Sequence, residues 1–144
     1  QGYSSAASDV YKRQVVRLDA VLPMSYFTVD TIRQLSVLEP YGKSNTRPVF
    51  ADRNIKITRA GIVGVNRNVL KLHLLDSKGN PVAGVYFGEV EKFLTFLSEK
   101  FGSEEVDAAM HGKENSIQFA AVYEPAVDTY SGRESVQAII RRFR

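Results

Sequence analysis

The chain has 144 residues, 44% of them hydrophobic and 24% charged, the make-up of one ordinary globular domain with or without an appendage. It has no cysteine, which excludes disulfides, thiolate metal sites and cysteine catalysis, and its two histidines, His73 and His111, lie in no metal-ligand spacing. Nineteen Lys and Arg against 16 Asp and Glu give a net charge of +3, which permits an anionic partner without requiring one.

Residues 1–14, QGYSSAASDVYKRQ, are rich in Ser, Ala and Gly and carry no hydrophobic period, so they read as a tail. Their stretch SAASDVYKRQ resembles the translation of sequencing-adapter read-through, which makes a non-native origin the expectation and leaves +2 for the rest of the chain. Residues 15–22 alternate like a short strand. A helix is expected from Thr28, a good N-cap, with Asp30 in the first turn, a Phe27–Ile32 staple and apolar Val29, Ile32, Leu35 and Leu38; Pro40 and Gly42 end it. Residues 39–48, EPYGKSNTRP, form a loop.

From Val49 the period becomes two. A long strand is expected over 55–65, bent at Gly61 or Gly64. Residues 69–75 set Leu70, Leu72 and Leu74 on one face and Lys71 and His73 on the other. A hairpin loop at 76–80 leads to a third strand at 82–87. An amphipathic helix follows at 89–101, with Val90, Phe93, Leu94, Leu97 and Phe101 on one stripe and Gly102 as its cap. A helical turn fits 103–110, where Glu104, Glu105, Asp107 and His111 read as a solvated surface. Residues 116–123 alternate again, a loop is expected through Pro125 and Gly132, and 134–143 makes the last strand. The order strand, strand, strand, helix, strand, strand is that of an OB-fold, a mostly β five-stranded Greek-key barrel. A short strand and one helix precede it, so the expected division is a tail at 1–14, a connector at 15–48 and the OB-fold domain at 49–144.

Residues 37–50, VLEPYGKSNTRPVF, resemble the Leu-Glu-Pro-Phe-Gly-x-Gly-Asn-Pro-x-Pro-x-Phe segment that leads into the OB domain of RecJ, the single-stranded-DNA-specific exonuclease family. Residues 64–72, GVNRNVLKL, resemble that family's Gly-x…His-Leu-Lys-Leu strand pair, and residues 122–144 its closing Tyr-x-Pro-x-Asn-x-Tyr-x-Gly-x-x-x-x-Gln segment. Ser44, Thr46, Val69 and Asp128 depart from the family's Gly, Pro, His and Asn. The resemblance covers about residues 17–144. It implies the OB part of a metal-dependent 5′→3′ exonuclease of DNA repair and recombination. The Mn²⁺ or Mg²⁺ chemistry would lie in upstream domains, with no cofactor here and no nuclease activity in this stretch alone. It also implies single-stranded DNA, the upstream nuclease domains and a single-stranded-DNA-binding protein as partners, in the cytoplasm. No apolar run approaches the roughly 18 residues of a membrane span, and no signal peptide is expected.

OB-folds bind oligonucleotides on the face of their second and third strands, between the loops joining strands one to two and four to five. On that pattern the candidate DNA contacts are Arg67, Lys71, His73 and Tyr86, then Tyr130 and Arg133, with Lys43 and Arg47 from the motif loop and Arg141 from the last strand. Asn66 and Asn68 share the first of these loops, while Asn45 reads as a structural turn residue. The alternatives are a solvated face for Lys71 and His73 and a barrel-wall place for Tyr86. At the level of the molecule they are a stand-alone oligonucleotide-binding module or a protein-docking OB domain.

Overall fold

The computed structural model describes residues 20–35, 47–130 and 132–144. Their elements in order are β1 (Ala20–Val21), a 3-10 turn (Met24–Tyr26), α1 (Val29–Gln34), β2 (Phe50–Val63), β3 (Val69–Leu75), β4 (Pro81–Phe87), α2 (Val90–Phe101), α3 (Ser103–Met110), β5 (Gln118–Asp128) and β6 (Ser135–Phe143). The tail at 1–14 and the motif residues Lys43 and Asn45 lie outside the described residues.

β2, β3 and β4 form an antiparallel meander. The chain then crosses through α2 and α3, so β6 can pair in parallel with β4, while β5 pairs antiparallel with β6 and with β2. That last pairing closes the ring, which is the OB barrel expected from the order of elements. β1 adds a short parallel strand beside β2, pairing Ala20 with Phe50 and Val21 with Ala51.

Strict alternation builds the wall. Leu70, Leu72 and Leu74 are 0–2% exposed and point inward from β3. α2 packs Val90, Phe93 and Leu97 into the core. Phe93 stacks on Phe143 with ring centroids 4.4 Å apart and meets Phe119 edge-on at 5.6 Å. Gly84 faces Leu74 from β4, where a Cβ would come within 2.6 Å of a Leu74 methyl.

Three features differ from expectation. β2 bends at bulges, but not at its glycines: its register shifts between Asp52 and Ile55 against β5 and between Ile57 and Arg59 against β3. Asn54 takes the first bulge at φ 57°, a left-handed conformation that asparagine tolerates. Gly61 stays in regular pairing with Lys71, and Gly64, at φ 94°, already belongs to the loop. β5 runs through Pro125 to Asp128 where a loop was expected. β2 leaves β5 at Tyr123, so beyond that point β5 pairs with β6 alone, and an imide without an N–H is tolerated there.

The third is the depth at which residues 20–27 enter the core. Met24 and Phe27 are 1% and 6% exposed, and the Phe27 ring lies 4.8 Å from that of Phe50. Two buried carboxylates fix this segment through its backbone. The Met24 N–H donates to Asp52 Oδ2 at 3.0 Å, and the Ser25 N–H to Asp76 Oδ2 at 2.9 Å. Tyr123 donates its hydroxyl to the Leu22 carbonyl at 2.7 Å. Beyond this docked turn, Thr28 caps α1 as expected, its hydroxyl accepting from the Thr31 N–H.

Candidate nucleic-acid interface

The outer face of β2, β3 and β4 is a grid set by register. One row is Arg59, His73 and Ala83; the next is Gly61, Lys71 and Val85; the third is Val63, Val69 and Phe87. Lys71 and His73 are exposed, because the inward leucines on either side leave them no other direction. Arg59 shares the face, but its guanidinium runs towards Gly112, just beyond α3. Val85, on the β4 side of the second row, is only 3% exposed although it points outward.

Loops flank this face at both ends. Residues 64–68 turn through Gly64 and Arg67, whose φ of 53° is left-handed, and the Arg67 N–H closes the turn on the Gly64 carbonyl at 3.1 Å. The Gly88 N–H, donating to the Asn68 carbonyl at 2.9 Å, pins the loop beside the end of β4. Because β6 runs parallel to β4, pairing Gln137 with Ala83, the loop after Asp128 lies at the other end of the face, near the β3–β4 hairpin. It carries Tyr130, 93% exposed, and exposed Arg133. Arg67 and the Tyr130–Arg133 pair therefore bracket the face from opposite ends.

Arg47 and Arg141, distant in sequence, meet at one carboxylate. Glu124 on β5 is 8% exposed at its side chain, accepts from the Arg141 guanidinium and lies 3.6 Å from Arg47 Nη1. This corner gathers two guanidinium groups on one carboxylate. It shares a row with Lys71, through Val85 and Ile139 to Glu124, across three interstrand steps or about 15 Å.

Tyr86 corrects one expectation. It points inward, 5.0 Å from Phe93 and 5.7 Å from Phe143 by ring centroids, and burial followed by the nearby Glu89 charge raises its pKa above the usual tyrosine value. Successive strand residues face opposite sides, so the outward aromatic is its neighbour Phe87, 52% exposed. Sequence reasoning missed Phe87, although the Lys71 alternation and the hairpin register carried the signal. It also missed Glu124, which has no local signal, since a carboxylate in a strand says nothing of arginines from two other segments. Lys43 lies outside the described residues.

Among the described residues, no group of three or more His, Asp or Glu is placed to hold a metal ion, and no helix is long and apolar enough to cross a membrane.

A closed ring of β2 to β6, with helices crossing between β4 and β5 and β4 parallel to β6, defines the oligonucleotide- and oligosaccharide-binding class of barrel. Within it, the family model of the RecJ OB domain matches residues 18–142, and the chain belongs to that family. Among curated proteins no match is found.

Proposed function

We propose that this barrel holds single-stranded DNA on the outer face of β3 and presents it to the nuclease domains of a RecJ-type 5′→3′ exonuclease of DNA repair and recombination. The observation that carries the reading is the outward pair Lys71 and His73 on the second strand of a RecJ-family OB barrel, with Arg67 in the adjoining loop. A positive groove that follows the backbone, with aromatic groups beside it, is how single strands are held without sequence preference. Metal-dependent hydrolysis would belong to the upstream domains. The chain alone, incubated with Mn²⁺ or Mg²⁺, is expected to leave a labelled oligonucleotide intact; cleavage would contradict the division of labour.

The test is a titration of labelled single-stranded oligonucleotides of different composition. Affinity is expected to vary little with sequence and to fall as salt rises, with a log–log slope of about −0.7 per phosphate neutralised. Replacing Arg67 and Lys71 together with alanine should flatten the slope by about one to two such units while the barrel stays folded. An unchanged slope would move the DNA path away from β3, to the Arg47–Arg141 corner. A second reading, docking to the protein's own upstream domains, is favoured by Val21 and Tyr26, 60% and 54% exposed on the segment through which the chain enters the barrel. It is compatible with the first, since the two surfaces differ.

A further inference from the structure

The grid's third row does not fit a simple solvated face. Phe87 is 52% exposed, Val63 40% and Val65 100%, three of the large apolar side chains that the described residues leave in water. Val63 and Phe87 flank Val69 in direct register, and Val65 opens the loop that the Gly88–Asn68 hydrogen bond holds against the end of β4. Chance scatter of apolar groups would not gather them at one corner of one face. The corner is also bordered by cations. Arg67 sits in that same loop, and Lys71 is the diagonal neighbour of Phe87 across the β3–β4 pair, with Cα atoms roughly 7–8 Å apart.

A flat, half-exposed phenyl ring beside two cations that would meet phosphates fits an unpaired nucleobase. We propose that Phe87 is a base-stacking platform: one base of a single strand lies on its ring, against the apolar edge made by Val63, Val65 and Val69, while Arg67 and Lys71 hold the phosphates on either side. This rests on the single-strand reading above and deepens it by assigning the stacking residue. Charge complementarity selects this occupant. The two cations disfavour a basic partner, and a purely apolar partner would leave them unused.

The chain has no tryptophan, so Phe87→Trp places a single fluorophore at the platform. Its emission should be quenched by a single-stranded oligonucleotide, with a midpoint matching the anisotropy titration of the labelled strand. Phe87→Ala should weaken binding roughly 5- to 150-fold, the worth of one stacked base, without changing the salt slope, because no phosphate contact is lost. Phe87→Tyr should restore binding. The melting temperature and circular dichroism of each variant report the fold, and the tryptophan readout stands even where the alanine variant is destabilised. Wild-type binding with no quenching and no loss in Phe87→Ala would overturn the platform while leaving single-strand binding in place. Failure of the wild type to bind would overturn the underlying reading, and the platform with it. A wild-type dimer that Phe87→Ala converts to a monomer, with DNA affinity unchanged, would assign the patch to a second copy of the chain and overturn the proposal.

Discussion

Lys71 and Leu72 are adjacent and do opposite jobs, which makes them a sharp check on register. Leu72 is 2% exposed in the core, so Leu72→Ala should cost roughly 2–5 kcal/mol in urea unfolding, while Lys71→Ala should stay within about 0.5 kcal/mol. Reversed costs would put β3 one residue out of register and turn the proposed binding face inward. Asp76 carries a second residue-level prediction. Burial works to raise its pKa, but the Ser25 hydroxyl and the backbone N–H groups of Asn80, Ser25 and Lys78 outweigh it, and the folded value is lowered. A carboxylate with a lowered folded pKa stabilises fully above its unfolded value, about 3.9, and loses that contribution as pH falls from there through the folded value. Asp76→Asn should therefore lower stability at neutral pH and reduce the difference between unfolding at pH 7 and at pH 3. An acid dependence identical to wild type would remove Asp76 from the docking of Ser25. None of this was legible beforehand, when Asp76 read as one more hairpin residue.

At the scale of elements, legibility follows the range of the forces involved. β3, the 76–80 hairpin, β4 and α2 stand where periodicity set them, because a two-residue or 3.6-residue apolar period is itself the signature of one buried face. The bulges of β2 left no such trace. They answer to two different partner strands, β5 on one side and β3 on the other, and Asn54 gains its left-handed role only when both are present. Pro125 misled for the same reason, since what spares it is the departure of β2, an event elsewhere in the ring. The β3–β4 pair offers its own prediction. Gly84 has no room for a methyl beside buried Leu74, so Gly84→Ala should overpack the barrel and cost about 1–3 kcal/mol. A neutral or stabilising result would show that Leu74 can move aside.

For the whole molecule, ring closure could be read from the order of elements, whereas the docking of residues 20–27 could not. That docking depends on pairs 28, 51 and 101 positions apart, Met24 with Asp52, Ser25 with Asp76 and Leu22 with Tyr123, and no local pattern encodes them. Its consequence is that the segment entering the barrel is tied to β2, β5 and the β3–β4 hairpin through Asp52, Tyr123 and Asp76, while Lys71 and His73 stay exposed on β3. The candidate site was legible in part: Lys71, His73 and Arg67 emerged from alternation and loop position, while the Tyr86-for-Phe87 exchange and the Glu124 corner required the packed barrel. The most direct test of the central claim is the amide NMR spectrum of the full chain titrated with a short single-stranded oligonucleotide. Shifts should concentrate on residues 64–73 and at Phe87 and Gly88, with little change at Met24, Ser25, Asp52 and Asp76. Shifts confined to the docked segment, or a saturating titration that leaves β3 unmoved, would contradict the account.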